Sequence, residues 1–489
     1  MTRDAVRPLA ASLGLILTLA AAAHAQPAAP LTLADAIRLA ADRSESVQIA
    51  VAGESRAEAG VETALSQRLP QVNGMASYTR TLASEFSSAF ESTGPVCDPF
   101  MVDATRPLAD RVAEIERAAS CGSLGGGGGF DFENLPFGQR NIYQVGLEVA
   151  QAVYAGGRIS AQQRQADLSR EGAAITTSLT RAQLTLDVTR AFYDAALADR
   201  LVAIAESVYA QAEAAYEQTR LAYEAGRQPE FEQLRAQVER DNQRPTLIRR
   251  RAERDVAYLR LRQVLELPAD APLTLDVDLE NPALPPPLPF ADALTAARGV
   301  EAVDSLSVRQ SNTLVSIREA GITLARAERL PSLSLVSSLA GVGYPGNGVF
   351  PSVGDFRANW TVGAVVRMPL FTGGRLRASE QSARADLTEA RAQLQQTREL
   401  VALDRATALQ DLTAAEALWE ASAGTVQQAQ RAYEIAELRN REGLSTQLEL
   451  SDSRVSLEIA QANRVVAARD VQVARARVAL LPNLPAGAR

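Results

Sequence analysis

Apolar and polar residues alternate along four short stretches of this chain and recur at helical spacing through most of the remainder. Residues 31 to 69 read as helix, with Leu33, Ala36, Ile37 and Ala40 on one side. Pro70 ends that pattern, and residues 70 to 82 form a candidate strand. Over residues 139 to 155, Tyr143, Val145, Leu147 and Val149 alternate with Gln144, Gly146, Glu148 and Ala150, the period-two signature of a strand with unlike faces. Residues 331 to 343 and 357 to 371 repeat it. Leu333, Leu335 and Leu339 stand away from Ser332, Ser334 and Ser338, while Trp360, Val362, Ala364, Val366 and Met368 alternate with Asn359, Thr361, Gly363, Val365 and Arg367. Strands of about ten residues cross a bilayer when tilted.

From Arg158 to Ala222 there is no proline and one glycine, Gly172; from Arg375 to Glu442 there is again no proline and only Gly424. Such runs predict helices over 158 to 223 and 375 to 441, each on the order of 100 Å long at the helical rise. Turns at Gly226 and Gly443 then send shorter helices back over 229 to 266 and 446 to 481, the first of them expected to kink at Pro245. The last helix carries two heptad-spaced apolar stripes. One runs Ile459, Val466, Val473, Leu480; the other runs Leu450, Leu457, Val471, Val478, interrupted by Arg464. They lie about 200° apart around the helix. A helix with a neighbour on each side, as in a cylindrical wall, needs two such stripes.

The pattern is stated twice. Val153-Tyr154-Ala155-Gly156-Gly157-Arg158 returns as Leu370-Phe371-Thr372-Gly373-Gly374-Arg375, and 217 residues separate Gly156 from Gly373 and Gly226 from Gly443 alike. Arg68-Leu69-Pro70 likewise returns as Arg329-Leu330-Pro331. The organisation read from this is a first repeat over 26 to 266, a Pro-rich connector over 267 to 290, a second repeat over 291 to 481 and a short tail over 482 to 489. Between the strands of the first repeat lies a long loop, about 83 to 138, with a glycine run from Gly125 to Gly129; the second repeat's loop, about 344 to 356, is short. No strand precedes that glycine run and no Lys-Ser/Thr follows it, so it reads as loop and not as a phosphate cradle.

Composition narrows the chemistry. Arg3 and Arg7, an apolar run from Leu9 to Ala23 and the small-x-small site Ala23-His24-Ala25 describe a secretory signal peptide cleaved after Ala25. No cysteine stands at Gln26 to accept a lipid. Cleavage removes the only histidine, and all 50 basic residues are arginine. A histidine general base, a His-ligated zinc, a Walker lysine and a Schiff-base lysine are thereby excluded from the mature chain, and the expectation is a non-enzyme without cofactor or metal. Cys97 and Cys121, close together in an exported chain, form either one disulfide closing a surface loop or two free thiols. A net charge of −8 with interspersed signs offers no basic footprint for nucleic acid.

Four amphipathic strands cannot close a barrel, and an open strand edge in lipid leaves N–H and C=O groups without partners. Association of copies removes the edges, and three copies supply twelve strands. With the duplicated Gly156-Gly157-Arg158 and Gly373-Gly374-Arg375 at strand-to-helix junctions and glycine turns in register, the chain resembles the TolC-like outer-membrane efflux proteins over nearly all of its mature length. The resemblance implies a mainly α protein with transmembrane β, a duplicated protomer and a homotrimer. The trimer would form a 12-stranded outer-membrane β-barrel continued by a 12-helix periplasmic α-barrel, in the outer membrane of a Gram-negative bacterium. It also implies an exit duct for a tripartite efflux pump or type I secretion system. The partners implied are outer-membrane lipid, a periplasmic adaptor at the tips around Gly226 and Gly443, and an inner-membrane transporter of RND or ABC type. Acidic positions that narrow the pore in that family fall on Glu449 and Asp452, with Glu232 at a related place in the first repeat. Without the resemblance the same acids read as helix-start charges. The tyrosine and arginine that tie the tips shut in the family's type member correspond to Asn440 and Ser445. The competing reading is a periplasmic coiled-coil adaptor or scaffold, which gives no reason for four alternating strands.

Overall fold

The computed structural model describes residues 30–82, 98, 100, 101, 103–121, 141–281, 283–286, 290, 292, 294, 305–345 and 350–487. The signal segment, Cys97 and the glycine run at 125–129 lie outside the described residues. The chain forms two compact units, one built from 53–173 and 311–394, the other from the remaining segments.

The first of these units is organised by four strands, β1 (Gln71–Arg80), β2 (Asn141–Tyr154), β3 (Ser332–Gly343) and β4 (Phe356–Arg367), in an antiparallel sheet of order β1-β2-β3-β4. Strands from both halves of the sequence therefore share one sheet, with β1 and β4 as its edges. Register carries the alternation across all four. Val72, Val149, Ser337 and Val362 form one cross-strand row and Gly74, Leu147, Leu339 and Trp360 another; between them, on the opposite face, run Asn73, Glu148, Ser338 and Thr361. The apolar face is uncovered, with Trp360 73% and Val362 72% exposed. β4 stops at Arg367, short of residue 371, because Pro369 cannot donate to a ladder.

Eight α-helices complete the described chain: α1 (Leu33–Arg43), α2 (Glu45–Ser66), α3 (Leu108–Ser120), α4 (Arg158–Glu224), α5 (Glu230–Val264), α6 (Leu306–Ala327), α7 (Arg375–Arg441) and α8 (Gln447–Leu480). The segment read as one helix over 31 to 69 is two. Ser44 breaks it: its N–H donates to the Ala40 carbonyl at 2.8 Å, closing α1, and its Oγ accepts from the Val47 N–H at 3.5 Å, opening α2. α3 stands inside the stretch read as loop, its Arg117 paired with Glu114 at 2.6 Å. Helix α5 runs unbroken through Pro245.

The core of the other unit draws on every segment that enters it. Leu33, Ala36 and Ala40 of α1 pack with Val188 and Phe192 of α4, Leu261 of α5, Leu412 of α7 and Val471 and Val478 of α8. The connector supplies Leu279, Leu284 and Phe290 to the same cluster. It is tied down by α8, whose Gln472 and Arg475 donate to the carbonyls of Pro285 and Leu284 at 2.8 and 2.6 Å. A parallel bridge joins Leu31 to Leu275, and Ser307 Oγ donates to the Leu484 carbonyl at 2.9 Å.

Candidate functional site

Two helix-turn-helix tips and a two-faced sheet carry what this molecule can do. Each long helix ends in the same way. The Arg227 N–H returns to the Ala222 carbonyl at 2.8 Å and the Gly226 N–H to Tyr223 at 2.8 Å; at the second tip Leu444 returns to Arg439 at 2.8 Å and Gly443 to Asn440 at 3.1 Å. This double closure needs a left-handed residue, supplied by Gly226 at φ 67° and Gly443 at φ 71°. Thr446 then caps α8 by accepting the Glu449 N–H, 3.4 Å away.

Glu449 and Asp452 stand on the exposed side of α8, while Leu450 and Arg454 between and after them turn inward. Glu449 is not free, because Arg439 of α7 lies 3.8 Å from it across the turn. Glu232 is half-buried in the first turn of α5, and no bond links it to the other two acids. Asn440 and Ser445 contribute a tie within the chain: Asn440 Nδ2 donates to the Ser445 carbonyl at 3.4 Å, and Ser445 Oγ to Ala436 at 3.5 Å.

The strand-to-helix junctions use paired left-handed glycines, Gly156 and Gly157 at φ 59° and 85°, Gly373 and Gly374 at φ 58° and 88°, so that Arg158 and Arg375 open α4 and α7. Beside the second junction, Glu380 collects three guanidinium groups, Arg326 at 3.1 Å, Arg329 at 2.9 Å and Arg384 at 2.7 Å. The hydrogen bond from Arg326, aided by the charges of Arg329 and Arg384, holds its carboxyl below the usual range against the opposing effect of burial.

Spacing along the sequence gives no sign of the ties between helices. Arg454, 2% exposed, pairs with Glu239 of α5. Arg469 of α8 meets Asp194 of α4 at 2.6 Å, and Arg475 and Arg477 reach Glu416 and Asp411 of α7 at 3.3 and 3.1 Å. Burial pushes the Tyr433 hydroxyl above its ordinary value; Glu437 adds to the shift and Arg454 opposes it. Among the described residues no acid, histidine or cysteine cluster is arranged to hold a metal, and no helix is long and apolar enough to cross a membrane.

A sheet with one apolar and one polar face thus runs through glycine junctions into two helices of 67 residues each. The outer membrane efflux protein profile matches residues 102–266 and 302–483, and the chain belongs to that family, the TolC-like efflux channels. Solved structures agree on the fold. The chain is similar to the CmeC outer membrane channel of Campylobacter jejuni, with a TM-score of 0.69 and 14% identity over 93% of this chain and 86% of that one. VceC of Vibrio cholerae gives 0.68 and 17% over 92% and 96%. The open state of the MtrE outer membrane channel of Neisseria gonorrhoeae gives 0.68 and 18% over 94% and 90%. No curated protein matches the chain in sequence.

Proposed function

We propose that three copies of this chain form a passive exit duct, a 12-stranded barrel in the outer membrane continued by a 12-helix periplasmic tube built from α4, α5, α7 and α8 of each copy. The observation that carries this reading is the sheet, whose apolar face is uncovered and whose strands β1 and β4 each leave one edge unpaired among the described residues. Lipid tolerates that face and does not tolerate those edges, so closure on other copies follows. The register supports closure too. Gly74 lies level with Leu147 and Leu339, although Leu339 is the repeat mate of Tyr78, so the sheet advances four residues per repeat. A barrel requires such a stagger. α8 supports the helical tube: its stripe of Leu450, Leu457, Val471 and Val478 is buried, while in the other stripe Val473 and Leu480 pack on the core and Ile459 and Val466 remain 55% and 38% exposed.

In this reading the mature protein begins after Ala25 without a lipid, and the duct opens at the tips around Gly226 and Gly443. A periplasmic adaptor and an inner-membrane transporter of RND or ABC type supply the energy. Glu449, Asp452 and Glu232 form the constriction, where three copies concentrate carboxylates that attract cations. The scaffold alternative leaves the two-faced sheet without a purpose. In planar bilayers, Glu449→Ala with Asp452→Ala is expected to weaken block of single-channel current by divalent cations at the periplasmic side. Unchanged block would remove the ring from the reading, and absence of conductance from the parent protein would remove the duct.

A further inference from the structure

Helix α3 is amphipathic, and its polarity is inverted. Its 13 residues place Leu108, Val112, Ile115 and Ala119 on one side, at alternating spacings of four and three. A surface helix ordinarily rests such a stripe on the body beneath it. Here the other side is held down: Ala118 is fully buried, and Arg117, paired with Glu114, donates to the Asp98 carbonyl at 3.1 Å. The apolar side faces out, with Leu108 74%, Val112 46% and Ile115 45% exposed. Single exposed apolar residues need no partner, but a contiguous stripe marks an interaction surface.

The spacing is that of a coiled-coil heptad, with Leu108 and Ile115 at d and Val112 and Ala119 at a. In parallel strands the g residue of one helix meets the e residue five positions further along its neighbour, and these two positions hold Arg111 and Glu116. Both are exposed, and neither is in an ion pair among the described residues. β-Branched residues at an a and a d position together favour three or more strands over two. The stripe and its flanking charges therefore fit further copies of the same helix.

α3 lies in sequence between Arg80 and Asn141, the ends of β1 and β2 opposite the junction to α4. Each connector is roughly twenty residues or more, enough to span on the order of 60 Å. The axis of a 12-stranded barrel is only about 12 Å from its wall.

We propose that the α3 helices of three copies pack as a parallel three-stranded coil over the outer mouth of the duct, with Val112 at its centre and Arg111 of each copy paired with Glu116 of the next. This rests on the trimeric reading and adds to it an outer closure, separate from the tips, that cargo must part. Three helices at ordinary packing distance are about 20 Å across, against roughly 24 Å between the barrel's backbone walls.

The test is crosslinking of the full-length protein in outer membranes with a short bis-maleimide, followed by peptide mapping, with the parent protein treated alike as the blank. Val112→Cys is expected to give a product of two chain masses joined 112 to 112, several-fold more abundant than any from Asp110→Cys, on the opposite side of the helix. Arg111→Glu added to Val112→Cys is expected to cut that yield several-fold, and Glu116→Arg added to both to restore it. If native mass gives a trimer but 112 links no better than 110, or is joined to a different protein, the cap is wrong and the trimer stands. A charge reversal without effect overturns the cap as well. If native mass gives a single chain, the trimer reading falls and takes the cap with it.

Discussion

Arg454 illustrates how a charge can be spent inside this molecule. Its side chain is 2% exposed, Glu239 is its partner, and its Nε has no acceptor among the described residues. Removing Glu239 leaves a buried guanidinium unpaired, which costs far more than a surface pair is worth. Glu239→Ala is therefore expected to destabilise the α5–α8 contact by about 3–5 kcal/mol, read as a lower denaturation midpoint, with Glu239→Gln recovering part of it. Arg464 sits where the inward stripe of α8 calls for an apolar residue, and sequence spacing shows only the interruption. The structure shows its cause: the guanidinium lies 3.8 Å from the Trp419 ring centroid and donates to Ser422 at 3.2 Å. Neither partner was legible, because Trp419 and Glu239 are 45 and 215 residues away. Glu380 gives a pH signature. Its carboxyl is held below the ordinary value, so its contribution is fully present above the unfolded value of about 4.5 and is lost as pH falls through the depressed folded value. The difference in melting temperature between the parent and Glu380→Gln is expected to be largest near neutrality and to shrink on acidification below pH ~4; a gap that widened with acid would contradict the assignment.

At the scale of elements, the strands were the most legible parts, because a period of two survives any tertiary context that keeps two unlike faces. That alternation also sets a sharp expectation for substitutions one residue apart. Val362→Arg puts a charge on the apolar face midway along β4 and should cost about 2–4 kcal/mol of membrane stability, whereas Thr361→Arg, on the polar face, should cost little. Folding into lipid vesicles, followed by heat-modifiable migration, separates the two; equal tolerance would mean that the faces are assigned wrongly. The helices were legible in existence and less so in their breaks. Ser44 divides α1 from α2 through side-chain capping that leaves no gap in the apolar pattern, so a period count runs straight across it. α3 was missed for the opposite reason: glycines and small polar residues around it set the tone of a loop, while its thirteen residues hold Leu108, Val112 and Ile115 at helical spacing. Pro245, where a kink is expected, lies inside α5, and a 35-residue helix packed on its neighbours tolerates one missing N–H.

For the whole molecule, duplication was the most informative reading, since 217 residues carry α4 onto α7 end for end. The family's tip acids were placed through that register, and the structure sets Glu449 and Asp452 on the exposed side of α8 but gives Glu449 an arginine neighbour that no motif announces. The connector could be seen as Pro-rich and extended. Its burial beneath α8, through Leu279, Leu284 and the carbonyls of Leu284 and Pro285, could not, because the residues that hold it lie nearly two hundred positions on.

Every cation in the ion pairs described above is a guanidinium, which keeps its proton to beyond about pH 12. The chain has no lysine, and its one imidazole is His24. Once the signal segment and His24 with it are cleaved away, nothing apart from the cysteines and the amino terminus ordinarily exchanges a proton between about pH 6 and 9. Its titration curve should therefore be a long plateau through neutrality, with buffering confined to the carboxylates below and the phenols above, and reagents that seek primary amines would find little beyond the first residue to label.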